Sequence, residues 1–253
     1  MTATEQAPAA AAPEEKIQRF RPGQRYVHLL VAVSFVVLFL SGLPLIWSPL
    51  SFLAAGGYTR IIHRIAAVGF MAVPILYFIV DRKGAKELIV DSFSYDRDDL
   101  RWLLSMGQYF LGNAHGMPPQ GRLNAGQKLH HAAVIVLSAG VVFSGLALWF
   151  LTDTLGPVGL GWALTVHNVT MLILVLLLVG HIYFTVVYKA ILAMHTGYVS
   201  RADAALEHPK WVAELEGREF DPAAHAAAAG EPAADPQDAA DPHDPAGDAP
   251  SRG

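Results

Sequence analysis

At 253 residues, with 53% hydrophobic and only 16% charged side chains, the chain is too apolar for an ordinary soluble domain, and its apolar residues are gathered into blocks. It has no cysteine, which excludes disulfides, iron–sulfur clusters, c-type haem attachment and thiolate chemistry within the chain. A net charge of −4 offers none of the basic footprint that nucleic acid attracts.

In chain order, residues 1–16 are mostly Ala, Pro and Glu and are expected to stay unstructured. A membrane domain over 17–220 follows, with helices expected at about 22–47, 58–80, 126–151 and 162–190, each long enough for a hydrocarbon core that takes about 20 residues to cross. The first opens at Pro22, a favoured first helical residue, and has no Asp, Glu, Lys or Arg from 27 to 47. The second has an uncharged run only over 65–80 and reaches spanning length by carrying Arg60 and Arg64 at its start. The third is uncharged over 129–151. The fourth uncharged run, 155–188, opens with Gly156, Pro157, Gly159 and Gly161, which read as loop, so its helix is expected from Trp162. Residues 221–253 form an Ala/Pro/Asp/Gly tract expected to be unstructured, and His225 and His243 in it have no companion at ligand spacing.

The fold class is therefore all-α and integral to the membrane: a four-transmembrane-helix bundle, since lipid leaves no partner for unpaired backbone groups. Four spans exceed what a cleaved signal peptide explains. Lys16, Arg19, Arg21 and Arg25 precede the first span, and Arg82, Lys83, Lys86, Arg97, Arg101, Arg122 and Lys128 lie between the second and third. Lys189 follows the fourth, whereas 48–57 and 152–161 contain no Lys or Arg. This asymmetry predicts cytoplasmic N- and C-terminal extensions and a cytoplasmic connection between the second and third spans.

The chemistry-bearing residues are the histidines within spans. An imidazole in a membrane helix is costly unless it pairs, binds something or faces water, so His28, His63, His167 and His181 each need a reason. Interhelical hydrogen bonding is one reason and metal ligation another. His167 and His181 are fourteen residues apart on one helix, which brings them to within about 40° of the same face and roughly 21 Å apart along the axis. His28 and His181 lie at similar depths from one side of the membrane, and His63 and His167 from the other, so each couple can face its partner. Two His–His pairs at two depths suit two six-coordinate haems b: iron bound by His28 with His181, and iron bound by His63 with His167. Gly42, Gly69, Gly140, Gly145 and Gly180 would leave room for a porphyrin or for close helix packing. Arg25, Arg60 and Arg64 lie near these histidines and are candidate contacts for haem propionates, with plain interfacial anchoring as the alternative.

The order of the four histidines, the run Asn124-Ala125-Gly126-Gln127-Lys128, and Val199-Ser200-Arg201 with His208-Pro209-Lys210-Trp211 make 17–220 resemble the gamma subunits of respiratory formate dehydrogenases. The histidine pattern alone is shared with cytochromes of nickel–iron hydrogenases and thiosulfate reductases. The resemblance implies a cytoplasmic-side haem on His28 and His181, a periplasmic-side haem on His63 and His167, and a site for quinone, either ubiquinone or menaquinone, beside the former. Asn124 and Gln127 would offer amides there, and Gly126 would leave room for a flat ring, although Asn124 also suits a helix cap. His130 and His131 lie just inside the same mouth and are candidate proton relays, with plain interfacial placement as the alternative, while His115 and His195 suggest no role beyond solvated loop and helix end. The resemblance further implies partners: an iron–sulfur beta subunit and an alpha subunit with a molybdenum- or tungsten-pterin that oxidises formate. This chain, in the bacterial inner (cytoplasmic) membrane, would then carry electrons from the beta subunit to quinone in anaerobic respiration, with protons taken from the cytoplasm. A hydrogenase-linked cytochrome, and more distantly a haem-free anchor or transporter using its histidines as polar glue, are the alternative readings.

Overall fold

A computed structural model describes residues 15–229. Four helices are long and apolar enough to cross a membrane: α1 (Pro22–Ile46), α2 (Tyr58–Val80), α6 (Ala125–Phe150) and α7 (Gly156–Val187). Between α2 and α6 lie α3 (Arg82–Phe93), α4 (Arg97–Leu104) and α5 (Met106–Phe110). After α7 come α8 (Ala190–Thr196), α9 (Arg201–Glu207), α10 (Pro209–Leu215) and α11 (Pro222–Ala229). A strand β1 (Lys16–Gln18) pairs antiparallel with β2 (Tyr198–Ser200), Ile17 opposite Val199, and so ties the segment before α1 to the segment after α7.

The spans form two hairpins. α1 packs along α2, joined by a tight 3₁₀ segment, Ser48–Ala54, and α6 packs along α7. Gly69 against Ser34 and Gly140 against Thr170 mark close approaches within the hairpins. Between the hairpins the backbones make at most isolated close approaches among the described residues. Large apolar side chains such as Leu40, Leu172 and Val179 are exposed along the spans, as a bundle whose solvent is hydrocarbon requires.

The buried core lies instead in a cap at one end of the bundle, built from α3–α5, α8–α10 and the helix ends beside them. Trp102 and Tyr109 pack with Ala114 and Ala125, joined by Phe184 and Tyr188 at the end of α7. Ala204, Trp211 and Val212 form a second cluster under β1 and β2. Ion pairs stitch the cap across its elements. Arg21 reaches Asp81 at 3.3 Å, Arg122 reaches Asp91 at 2.6 Å, Lys210 reaches Asp98 at 2.6 Å, and Lys128 reaches the buried Asp99 at 2.7 Å.

Two segments differ from the sequence reading. The glycines and proline at 156–161 do not make a loop: α7 starts at Gly156, whose φ is +61°, and Pro157 occupies the first turn, where its missing N–H costs nothing. The helix therefore runs 32 residues, about 48 Å, longer than the core it crosses. The tract expected to be unstructured from 221 opens with α11, an alanine-rich helix whose Asp221 carboxylate accepts from the Ala223 and Ala224 amides. The rest of that tail, with His243, and residues 1–14 lie outside the described residues.

Candidate haem sites

The four membrane histidines meet as two couples across the gap between the hairpins. At the cap end, His28 of α1 faces His181 of α7 with ring centres 6.0 Å apart. Toward the other end, His63 of α2 faces His167 of α7 at 6.3 Å. Two imidazoles bound to opposite faces of one metal, each nitrogen about 2 Å from it and each ring centre about 1 Å further, stand roughly 6 Å apart. No group of three or more His, Cys, Asp or Glu able to hold a bare ion occurs among the described residues. Two protein ligands are too few for such an ion, but they fit an iron whose other four positions are filled by a porphyrin. The residues present thus fit haem.

The far couple, His63 with His167, is held by hydroxyls. Ser41, a buried residue of α1, lies with Oγ 3.0 Å from His63 Nδ1, and its own proton goes to the Val37 carbonyl at 2.6 Å. Ser144, equally buried on α6, lies 3.2 Å from His167 Nδ1, which also meets the Val141 carbonyl at 3.1 Å. The glycine after each serine borders the same ring: a Cβ on Gly42 would stand 3.4 Å from His63, and one on Gly145 3.1 Å from His167. The cap-side couple has no hydrogen bond to either ring among the described residues. His28 is exposed, and His181 stacks on a third imidazole, His130, at 5.2 Å and 12°.

The other expected site residues divide. Arg25 donates to the carbonyls of Met194 and His195 and so caps α8. Arg64 lies over the Trp149 ring at 5.1 Å, and Arg60 is exposed in the first turn of α2. Asn124 and Gln127 form a capping box: Asn124 Oδ1 accepts from the Gln127 amide at 2.8 Å, and Gln127 Oε1 accepts from the Asn124 amide at 3.2 Å. Asn124 Nδ2 donates to the Tyr109 hydroxyl at 3.2 Å, which leaves Gln127 Nε2 as the uncommitted amide. The space beside Gly126 is filled by Trp102, whose ring a Cβ there would meet at 2.8 Å. Gly180 has nothing within 4 Å of its missing Cβ.

Sequence reasoning missed a polar cluster under the cap-side couple. His208 Nδ1 donates to the Gly121 carbonyl at 2.8 Å, and its Nε2 faces Arg19 Nη2 at 3.3 Å. Burial beside that guanidinium holds His208 neutral, well below the ordinary histidine range. Arg19 lies on the Trp211 face at 4.6 Å, and burial together with Arg122 pulls it down to about 10. Burial pushes Glu207 up to about 7, although the Tyr109 hydroxyl, 3.1 Å away, and Arg19 pull the other way. Among the described residues, Arg19 Nη1 and His131 Nδ1 are buried without a hydrogen-bond partner. The only signal was the His208-Pro209-Lys210-Trp211 run, which carried a resemblance but no chemistry.

A four-span helical bundle with paired histidines at two levels between its hairpins defines the class, an integral membrane protein of the cytochrome b kind. The chain belongs to the prokaryotic cytochrome b561 family, whose model matches residues 19–197 and whose members hold haem b. It is similar to the cytochrome b556(Fdn) subunit of the nitrate-inducible formate dehydrogenase of Escherichia coli K12, at 25% identity over 202 residues, covering 77% of this chain and 89% of the relative. The cytochrome b556(fdo) subunit from the same strain is 26% identical over 208 residues, covering 79% and 94%. The formate dehydrogenase cytochrome b556 subunit of Haemophilus influenzae is 21% identical over 212 residues, covering 79% and 84%.

Proposed function

We propose that this chain is the cytochrome b subunit of a formate dehydrogenase, taking electrons from an iron–sulfur partner and delivering them to quinone. The observation that carries the proposal is the pair of histidine couples facing one another across the gap, 6.0 and 6.3 Å between ring centres. His28 with His181, and His63 with His167, would hold two b haems. When bound, these supply one-electron transfer along the bundle. The cap carries most of the Lys and Arg that flank the spans, which supports reading it as cytoplasmic, with both termini on that side of an inner membrane.

The protein's own residues do the rest. α7 contributes one ligand to each level and fixes their spacing. The apolar spans exclude water from the gap, so charge moves in a medium of low dielectric. At the cap mouth, Gln127 Nε2 is the amide donor available to a quinone carbonyl, while Asn124 holds the helix end that presents it. Glu207, close to neutral in pKa and bonded through Tyr109 to Asn124, is placed to take protons from the cytoplasm toward that mouth. Purification of the intact complex tests the assignment: formate added anaerobically reduces the b haems, and a quinone analogue reoxidises them. Co-purification with a nickel–iron hydrogenase subunit, and no reduction by formate, would contradict it.

A further inference from the structure

Each hairpin carries the same arrangement at the far level. A Ser-Gly dipeptide on its first helix, Ser41-Gly42 or Ser144-Gly145, meets a histidine on its second helix, His63 or His167, 22 or 23 residues later in the chain. A serine hydroxyl in a helix commonly donates to the carbonyl one turn back, and here it does so, to Val37 at 2.6 Å and to Gly140 at 2.7 Å. That habit explains neither why both oxygens then lie within 3.0 and 3.2 Å of a histidine Nδ1 nor why both serines are buried. Each serine has one proton, and a carbonyl one turn back takes it. The lone pair that remains faces Nδ1, so Nδ1 carries the hydrogen. For His167 the Val141 carbonyl, which can only accept, requires the same tautomer.

We propose that Ser41 and Ser144 are matched positioning residues for the far site, each accepting the Nδ1–H of one ligand and so presenting both Nε2 lone pairs to a single iron. The inference rests on the reading of His63 and His167 as haem ligands. An acceptor on the distal N–H of a ligating histidine fixes its orientation and raises its basicity. A more basic ligand favours ferric over ferrous iron, so the serines hold the far haem at a lower potential than bare imidazoles would.

The test is an optical redox titration of the purified holoprotein. In Ser41→Ala, the far haem should become easier to reduce, with its reduced-to-oxidised ratio at the parental midpoint up roughly three- to tenfold. Ser144→Ala should move it the same way, and the cap-side haem should not move. Ser41→Thr, which restores the hydroxyl, should return the parental value, and Ser41→Val, isosteric with the threonine variant, should not. If Ser41→Ala retains no far haem, recovery with Thr but not Val is the supporting outcome. An unchanged ratio in Ser41→Ala, recovery with Val, or equal shifts of both haems overturns the proposal. Failure of the underlying reading looks different, because His63→Ala and His167→Ala would then leave the far haem in place.

Discussion

The two histidine couples have nearly the same separation but different supports. The far couple is gripped from both hairpins, with each ring's Nδ1 bonded to a buried serine and a glycine closing against its edge. The cap-side couple has an exposed member, His28, and a third imidazole, His130, stacked on the other. What surrounds it is a folded cap of ion pairs and aromatic rings rather than tight interhelical contacts. A site whose task is to hold a cofactor still is best enclosed by the spans themselves. A site that must also admit a substrate and protons is better left open toward a polar cap.

The largest expected effect comes from filling the far site. Gly145→Val adds carbon to a position already 3.1 Å from His167 at Cβ, so the far haem should be lost and the cap-side haem kept, measured as b-type absorbance per protein. Retention of both haems would mean that Gly145 does not border the cofactor. Next comes the cap. Lys128→Met removes the countercharge from the Asp99 carboxylate, which is 3% exposed and, among the described residues, keeps only the Asp96 amide as a hydrogen-bond donor; breaking a buried pair costs about 3–5 kcal/mol. Thermal unfolding followed at each haem's own absorbance should show the cap-side haem released first, and simultaneous loss would erase the distinction between the sites.

Smaller effects separate capping from quinone binding. Asn124→Ala should destabilise by about 1 kcal/mol through loss of the α6 cap, and Asn124→Asp, which keeps the accepting oxygen but loses the bond to Tyr109, should recover only part of it. Gln127→Ala should leave both haems reducible by formate but slow quinone turnover, by roughly three- to thirtyfold in affinity if one hydrogen bond is lost. Parental turnover in Gln127→Ala would move the quinone elsewhere around His181. Glu207 gives an effect that depends on pH. Its folded pKa of about 7 lies above the ordinary 4.5, so its contribution to stability is complete below about pH 4.5 and is lost as pH rises through 7. Glu207→Gln stays neutral, so its melting temperature should fall less than the parent's between about pH 5 and 8. Parallel curves would show that Glu207 ionises freely.

The spans and the identity of the paired histidines were legible because both follow from one-dimensional rules: hydropathy runs mark the helices, and residue spacing gives depth along an axis. Gly156 and Pro157 misled because the residues that interrupt a helix are also those that begin one. Asn124 was legible as a cap, but that its remaining amide is taken by Tyr109 depends on a contact fifteen residues away in sequence. Gly126 suggested room for a ring, and the ring beside it is the protein's own Trp102. Ser41 and Ser144 were invisible, since a serine in a membrane helix has an ordinary use in bonding its own backbone. His208 and Arg19 meet across 189 residues of sequence, a separation at which no local pattern speaks.

The pairing of ligands is the central claim, and counting haem in double variants tests it most directly. The parent should hold two b haems per chain. His28→Ala with His181→Ala, both from one couple, should leave one haem, as should His63→Ala with His167→Ala. His28→Ala with His63→Ala, one from each couple, should leave none. A haem retained in that last variant, together with loss of both from either of the first two, would contradict the pairing of His28 with His181 and of His63 with His167.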